Sequence, residues 1–265
     1  MNSSANFKSS DYRGCISAWV KSDDWTGAAD QVIFSSCDAS TGDYYLNTHI
    51  GADGKLKIKH KDSSVIYELK STNAITGDGT WHHIYVGSTG STTVMYIDGV
   101  NATAIVDASS GINNNGHWFN DGFAELDNIT IGAQTDTSTS AYFKGAIADV
   151  RYFNDAIVAD APILARKIQV DDSLTSLQAI HHWKLNSSTI STSGVGDDTG
   201  SSTIDLTPTS IVAGSFDYDA FSVNVQDTMT TDGTFTVTQG KLEGKALTSH
   251  DFSSSALNVA YDTHG

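Results

Sequence analysis

Residues 79–156 decide the fold. They contain GTWHHIYVG at 79–87, TTVMYIDGV at 92–100 and NITIGAQTDTSTSAYFKGAIADVRYFNDA at 128–156. Apolar and polar residues alternate in these runs, which is the period of a strand with one face on a core. An Asp98-Gly99 step between alternating apolar residues is typical of a tight hairpin turn. The segment therefore predicts strands joined by one tight turn and two polar loops.

In order and spacing, these runs resemble the laminin G-like domains of the concanavalin A-like sandwiches, and the pentraxins within that group. The resemblance runs from about Cys15 to Ile157. It implies an all-β, concanavalin A-like antiparallel β-sandwich of the jelly-roll type. Such domains mostly bind sugars, calcium and protein surfaces and mostly catalyse no reaction.

Composition is consistent with one large β domain, or with one domain and part of another. The chain has 265 residues, of which 39% are hydrophobic, and its formal net charge is -16. Phosphate backbones and anionic membranes are bound through basic stripes, which this acidic chain lacks, so neither nucleic acid nor a membrane is an expected partner. The charge indicates either a solvated, self-repelling surface or cation binding.

Two kinds of targeting sequence bear on where the protein is located, namely membrane spans and signal peptides. No apolar run approaches the roughly 20 residues that cross a bilayer. The start, MNSSANFKSSDYRG, lacks the apolar centre of a signal peptide. Because laminin G-like domains usually act outside cells, we expect an extracellular or virion-surface protein. It would reach the exterior either by secretion, with its signal absent here, or in a virus particle released by lysis.

The two cysteines allow two states. Cys15 and Cys37 lie in the runs CISAWVK and QVIFSSC, on either side of SDDWTGAAD. If the two runs pair as a hairpin, the cysteines lie roughly opposite each other, and a disulfide is possible where the Cβ atoms face. The alternative is two buried free thiols. The pentraxin resemblance aligns Tyr85 with the usual disulfide partner, so that disulfide is not implied.

Two segments are predicted along the chain, a sandwich at residues 1–172 and a second β segment at 173–265. A short helix ends the first, with Asp160 as N-cap and Pro162 in the first turn. The second resembles the start of another laminin G-like repeat, from Trp183 to a GKALTSHDF run near the C-terminus. Because the family places that run beside ISAWVK, the segment is expected to complete a sandwich in cis, or in trans within an oligomer or larger particle.

Two loops are candidates for a calcium site. Calcium takes six to eight oxygen ligands from carboxylates, amides and carbonyls. By resemblance to the pentraxins, the ligands are expected among Asp30, Gln31, Gln134 and Asp136. Gln134 stands where the family has glutamate, which reduces the ligand charge. The alternative is a pair of ordinary polar turns.

Aromatic residues in polar loops suggest a sugar platform, because sugars stack on aromatic rings while polar groups fix their hydroxyls. The candidates are Trp118 with His117 in GINNNGHWFNDGF, and Trp25 in SDDWTG. Each tryptophan could instead anchor its loop in the sandwich edge. The other three tryptophans lie on alternating strands and are predicted to be core: Trp19, Trp81 and Trp183.

Catalysis is not expected. Residues 125–130 resemble the Glu-x-Asp-x-x-Glu strand of laminarinase-type hydrolases through Glu125 and Asp127, but Thr130 replaces the second glutamate. Retaining glycosidases need two carboxyl groups about 5–5.5 Å apart. The pairs His82-His83 and His181-His182 are predicted to be half-exposed strand residues, because neighbours on a strand point to opposite faces.

These patterns predict a non-enzymatic binding, adhesion or structural protein of an exterior surface, most simply a phage decoration or fibre component whose partners are glycans or other subunits. A secreted, calcium-dependent carbohydrate-binding module is the alternative. A glycoside hydrolase is the least supported interpretation, since one of its two acids is missing.

Overall fold

The computed structural model describes residues 2–3, 11–27, 29–109, 116–120, 126–168, 170, 174–186 and 191–208. All of them lie in Met1–Ala220, the first of two units into which the chain divides. Within these residues no helix is both long and apolar enough to cross a membrane.

One sheet has seven antiparallel strands in the order β1-β11-β3-β4-β5-β6-β10. In chain order its strands are β1 (Asn2–Ser3), β3 (Gln31–Cys37), β4 (Tyr44–Ile50), β5 (Lys55–Asp62), β6 (Val65–Ala74), β10 (Ala104–Ser109) and β11 (Asn128–Ile131). A two-stranded ribbon of β12 (Gln134–Thr135) and β13 (Thr139–Ser140) follows β11.

The second sheet has six antiparallel strands in the order β15-β14-β2-β7-β8-β9. Its strands are β2 (Gly14–Ser22), β7 (Trp81–Ser88), β8 (Thr93–Ile97), β9 (Val100–Asn101), β14 (Gly145–Phe153) and β15 (His181–Trp183). Two antiparallel sheets around one core confirm the predicted concanavalin A-like sandwich.

The core lies between the sheets because each strand alternates. In β2, Ile16, Ala18 and Val20 point inward, and β5 contributes Leu56 and Ile58 in the same way. The residues between them point to the outer faces. The fold is therefore built from period-two patterns, as the sequence predicts.

The predicted hairpin turn is confirmed. β8 and β9 pair through Ile97 and Val100, and the two residues between them have positive φ, 52° at Asp98 and 75° at Gly99. Positive φ at both central positions is the requirement of a type I′ hairpin turn.

The two cysteines are buried free thiols, the second of the alternatives that the sequence left open. β2, with Cys15, belongs to the six-stranded sheet, whereas β3, with Cys37, belongs to the seven-stranded sheet. Both thiols are free and buried, and burial raises the pKa of each to about 12. The residue opposite Cys15 on β7 is Gly87. Tyr85, which the resemblance aligned there, pairs in register with Ser17 instead.

The short helix is present as α1 (Ala161–Leu164), preceded by a 3-10 turn at Val158–Asp160. Asp160 is the N-cap by position, but its carboxylate does not cap the helix. It accepts hydrogen bonds from the backbone N–H (2.6 Å) and the hydroxyl (2.5 Å) of Ser176 instead. The residue therefore ties the helix to the chain that follows it.

Part of the segment predicted at 173–265 packs with the sandwich in the same chain. β15 pairs with β14, and Trp183 and Leu206 are buried in the common core. The first unit therefore extends beyond residue 172.

β2 has β14 on one side and β7 on the other, so no further strand can be added beside ISAWVK. β2 therefore offers no open edge to the GKALTSHDF run. The remaining C-terminal strands proposed from the sequence, including GKALTSHDF, lie outside the described residues.

Candidate functional site

The outer face of the seven-stranded sheet carries a row of lysines. In β5, which reads KLKIKHKD, every second residue is a lysine and the residues between them are buried. Register places Lys59 between Asn47 of β4 and Glu68 of β6. We call this surface the lysine face, and its members are Tyr45, Asn47, His49, Lys57, Lys59, Lys61, Glu68, Lys70 and Asp107.

Several polar side chains of the lysine face are buried. An outer sheet face open to water leaves its polar side chains half-exposed, but here His49 is only 1% exposed, Glu68 6% and Tyr45 9%. Burial raises the pKa of Tyr45 to about 12, so its hydroxyl stays protonated. The shorter polar groups of this outer face are thus covered by their neighbours.

Ion pairs hold one side of the lysine face. The Asp107 carboxylate lies 2.6 Å from Lys57 Nζ and 2.5 Å from Lys70 Nζ. Partial burial alone would raise the pKa of Asp107, but hydrogen bonds from the two lysines outweigh it and hold the pKa below its usual value. Glu68 lies more loosely between Lys57 (3.5 Å) and Lys59 (3.7 Å). The charges thus neutralise one another.

His49 lies beside Lys57 and is the least satisfied group of the face. Burial, with the charges of Lys59 and Lys57, lowers its pKa to about 4, although Asp30 opposes this shift. The ring is therefore neutral at pH 7. Neither ring nitrogen has a hydrogen-bond partner among the described residues, since Asp30 is 3.6 Å and Glu68 3.8 Å from Nε2.

This arrangement places donors and acceptors side by side on the lysine face. Lys59 and Tyr45 donate and Glu68 accepts, whereas the two ring nitrogens of His49 are closed to solvent. Such a set is complementary to a ligand rich in hydroxyl groups, which also donate and accept. The sequence signal for the face was the alternating lysines of β5, which our sequence reading did not use.

Residues 2–161, more than half of the chain, match the family model described as the concanavalin A-like lectin/glucanases superfamily. The chain belongs to this superfamily. The laminin G-like resemblance is therefore confirmed. No curated protein sequence is significantly similar to the chain.

Several solved structures are distantly similar to this concanavalin A-like chain. The IT-sialidase CBM40 of Ruminococcus gnavus, bound to alpha2,3 sialyllactose, is 15% identical, with 58% of this chain and 82% of that chain covered and a TM-score of 0.47. Domain 4 of the arabinanase AbnA from Geobacillus stearothermophilus, bound to arabinotriose, is 18% identical, with coverages of 58% and 66% and a TM-score of 0.43. A pentraxin from Limulus polyphemus is 13% identical, with coverages of 58% and 69% and a TM-score of 0.38.

In this concanavalin A-like sandwich the predicted calcium ligands border the lysine face but do not converge. Gln31 Oε1 accepts from Lys144 N (3.1 Å), whereas Gln134 Oε1 accepts from Asn47 Nδ2 (2.6 Å) and its Nε2 donates to Asp136 (2.7 Å). Both amide oxygens are thus occupied. The described residues contain no group of three or more His, Cys, Asp or Glu side chains that could hold a metal. Calcium binding by the four residues therefore stays a prediction.

The predicted sugar platform is corrected. Trp118 is fully buried and Trp25 is 2% exposed, both within the core of the sandwich. His117 is half-buried and stacks on Tyr67, with ring centroids 4.5 Å apart. A buried indole offers no face to a sugar, so both tryptophans act as loop anchors, the alternative that the sequence left open.

The prediction that the remaining tryptophans are core holds for one of three. Trp183 is fully buried, but Trp19 and Trp81 lie on the outer face of the six-stranded sheet and are partly exposed. The alternation pattern predicts two faces but does not say which of them is the core face. The apolar neighbours Ile16, Ala18 and Val20 take the inner side of β2.

The residues of the hydrolase-like strand have structural roles. Asp127 Oδ1 accepts a hydrogen bond from the Ala39 backbone N–H at 2.7 Å, and Thr130 is buried in β11. Glu125 lies outside the described residues. Asp127 therefore fixes a turn.

The histidine pairs point to opposite faces, as predicted, but three of the four rings are buried rather than half-exposed. Each is held by a neighbour. His83 Nε2 lies 2.8 Å from Ser17 Oγ, and the other three rings each face an aspartate: His82 with Asp98, His181 with Asp198 and His182 with Asp149.

Proposed function

We propose that this chain is a non-enzymatic carbohydrate-binding protein and that the lysine face holds the glycan. The observation that carries the proposal is a set of neighbouring donors and acceptors on an outer sheet face, with the partly exposed Lys59 Nζ 3.7 Å from a Glu68 carboxylate oxygen. Membership of a lectin and glucanase superfamily supports carbohydrate as the ligand class.

The charges of the lysine face favour binding over hydrolysis. A glycosidase needs a carboxyl group whose raised pKa keeps it protonated as general acid. Asp107 has the opposite shift, because Lys57 and Lys70 stabilise its carboxylate. The described carboxylates of the face thus serve as hydrogen-bond acceptors, and incubation with a bound glycan should release no new reducing ends.

A glycan array followed by calorimetry tests the proposal. Lys59→Met and Glu68→Gln each remove one hydrogen-bonding charge from the centre of the face and should weaken binding of an array-selected glycan about tenfold or more. Lys167→Met is the matched control, because Lys167 is exposed and follows α1, which packs on the opposite sheet. Equal binding by all three variants, or no glycan bound by the wild type, contradicts the proposal.

Calcium dependence is a finer proposal that rests on the pentraxin resemblance. Binding would require Gln134 to release Asp136 Oδ2, while Asp136 Oδ1 accepts a hydrogen bond from the Ser138 backbone N–H at 3.1 Å. A ligand that binds the folded state stabilises the protein, so calcium should raise the melting temperature of the wild type. Asp136→Ala should abolish this rise. An unchanged melting temperature in the wild type removes calcium from the account.

The setting of the protein is proposed from the sequence alone. A virion-surface component is the setting proposed for this acidic chain, and a secreted module is the alternative. Identification of the source particle, together with the oligomeric state in solution, distinguishes the two.

A further inference from the structure

The outer face of the six-stranded sheet has two halves. One half is covered, since Cys15, Tyr85 and Phe153 pack beneath Ile157 and Leu164 of the segment that follows β14. The other half carries Trp19, Lys21, Trp81 and His83, and we call it the tryptophan face.

Register brings the four residues of the tryptophan face together. On β2 and β7, Trp19 lies opposite His83 and Lys21 lies opposite Trp81. The two tryptophans are therefore diagonal neighbours, with Cα atoms roughly 7–8 Å apart. Both are partly exposed. Lys21 Nζ lies 5.9 Å from the centre of the Trp81 ring, and the Trp19 ring meets the His83 ring edge-on at 5.5 Å.

Three polar atoms of this face lack partners among the described residues: Trp19 Nε1, Trp81 Nε1 and His83 Nδ1. His83 is fully buried, and its other nitrogen is bonded to Ser17 Oγ. All three atoms are closed to solvent and offer no contact to a ligand, so the part of this face that a ligand can meet is the partly exposed surface of Trp19 and Trp81.

We propose that the tryptophan face is a second carbohydrate-binding surface, for an uncharged sugar whose apolar ring face stacks on Trp19 and Trp81. Arg151, the nearby buried cation, is already held by Asp149 (3.0 Å) and by the Val170 carbonyl (2.6 Å), which argues against an anionic ligand. The choice of carbohydrate rests on the proposed function, whereas the site itself rests on the geometry.

The two surfaces lie on opposite sides of one sandwich. A chain that holds a glycan on each can bridge two polysaccharide strands or bind one surface with avidity. Such binding requires no oligomer.

Acrylamide quenching of tryptophan fluorescence tests the second surface directly. Trp25, Trp118 and Trp183 are buried, so the quencher reaches Trp19 and Trp81 first. Neutral cello-, manno- and arabino-oligosaccharides serve as probes. We expect at least one to reduce the quenching constant about twofold in a saturable manner.

Variants assign the effect to its surface. Trp19→Ala and Trp81→Ala should weaken binding of the protecting sugar at least tenfold, and Trp81→Phe, which keeps a ring, should lose less. Tyr142→Ala, at an aromatic residue 59% exposed elsewhere, should change nothing. Melting temperatures identify any variant that fails to fold. If an alanine variant does not fold, the sugar affinity of Trp81→Phe tests the surface in its place.

Three results overturn the inference. The first is binding at the lysine face without protection of the indoles, which leaves the proposed function intact. The second is protection that Glu68→Gln removes and Trp81→Ala does not. The third is wild-type quenching that sugars leave unchanged and that rises when the chain is truncated after Ala220. Such a rise would mean that the C-terminal segment, rather than a sugar, covers the tryptophan face. Conversely, protection that survives Glu68→Gln supports the second surface even if the lysine face binds nothing.

Discussion

At the scale of single residues, Asp149 has the most demanding environment. It lies at the bulge of β14 with a φ of 53°, and its carboxylate lies 2.6 Å from His182 Nε2 and 3.0 Å from Arg151 Nε. Burial alone would raise its pKa, but the hydrogen bond from His182 and the charge of Arg151 hold it below the ordinary value. The Asp149 carboxylate is thus the shared hydrogen-bond acceptor of two buried side chains, Arg151 and His182.

Asp149→Asn should destabilise the fold by about 3–5 kcal/mol, because it leaves Arg151 without its buried counter-charge. Asparagine tolerates positive φ, so the backbone is not the cause. Chemical denaturation measures the loss. The control is Asp23→Asn, at an exposed position, which should cost less than about 0.5 kcal/mol. Equal losses would contradict the assigned role.

The Asp149 carboxylate also predicts that the free energy of unfolding decreases at acidic pH. A lowered folded pKa contributes stability that is present above the unfolded value of 3.8 and is lost as pH falls through the folded pKa. Stability of the wild type should therefore fall below about pH 4, and Asp149→Asn should reduce this dependence. Denaturation curves between pH 2 and pH 6 check it. An unchanged slope in the variant would show that other carboxylates dominate.

At the scale of elements, the turn between β8 and β9 fixes the pairing of the two strands. Gly99 has a φ of 75°, and a Cβ added there would lie 3.0 Å from Pro162 Cα and 3.2 Å from Ala165 Cβ. The turn therefore also sets how closely α1 approaches the sheet.

Gly99→Ala should cost about 1–2 kcal/mol, because an L-residue is strained at positive φ, and the contact with α1 adds to this. Gly42→Ala is a matched control: Gly42 has no positive φ, and the nearest atom to an added Cβ is an Asp136 carboxylate oxygen at 3.7 Å, an ordinary contact. Thermal unfolding of both variants measures the difference. A Gly42→Ala loss as large as that of Gly99→Ala would refute the explanation.

Local patterns predicted the strands well and their partners less well. The Asp98-Gly99 turn and the alternation in β2 are each determined by residues that are neighbours in the sequence. By contrast, β2 and β3 follow each other in sequence but lie in different sheets, because a loop of polar residues can either turn a hairpin or cross the sandwich. The burial of Trp118 could not be predicted either, since it depends on strands distant in sequence.

At the scale of the whole molecule, the sandwich is closed by residues that lie in the segment predicted at 173–265. Trp183 donates its indole N–H to the Ile204 carbonyl at 2.8 Å, and Asp198 accepts from the backbone N–H groups of His182, Gly200 and Ile204. The strand with Trp183 and the turn with Asp198 and Gly200 thus form one closing element of the first unit.

Truncation tests this closure. A chain ending after Ala220 should unfold cooperatively, because the first unit is intact. A chain ending after residue 178 should not, because it loses β15 and the buried Trp183 and Leu206. Denaturant midpoints and slopes report both. If the shorter chain is as stable as the longer one, the closing element is dispensable.

The same pair of truncations addresses the predicted role of the C-terminal segment. Since β2 is paired on both sides, any further strand must join another edge or another subunit. Loss of the oligomer alone on truncation after Ala220 indicates pairing in trans, and loss of stability indicates pairing in cis.

The central claim is that a glycan occupies the lysine face. Amide chemical-shift mapping by NMR, with an array-selected neutral glycan, tests it most directly. The account predicts saturable shifts in β4, β5 and β6, centred on His49, Lys59 and Glu68. Bound glycan without any shift in those three strands would contradict it.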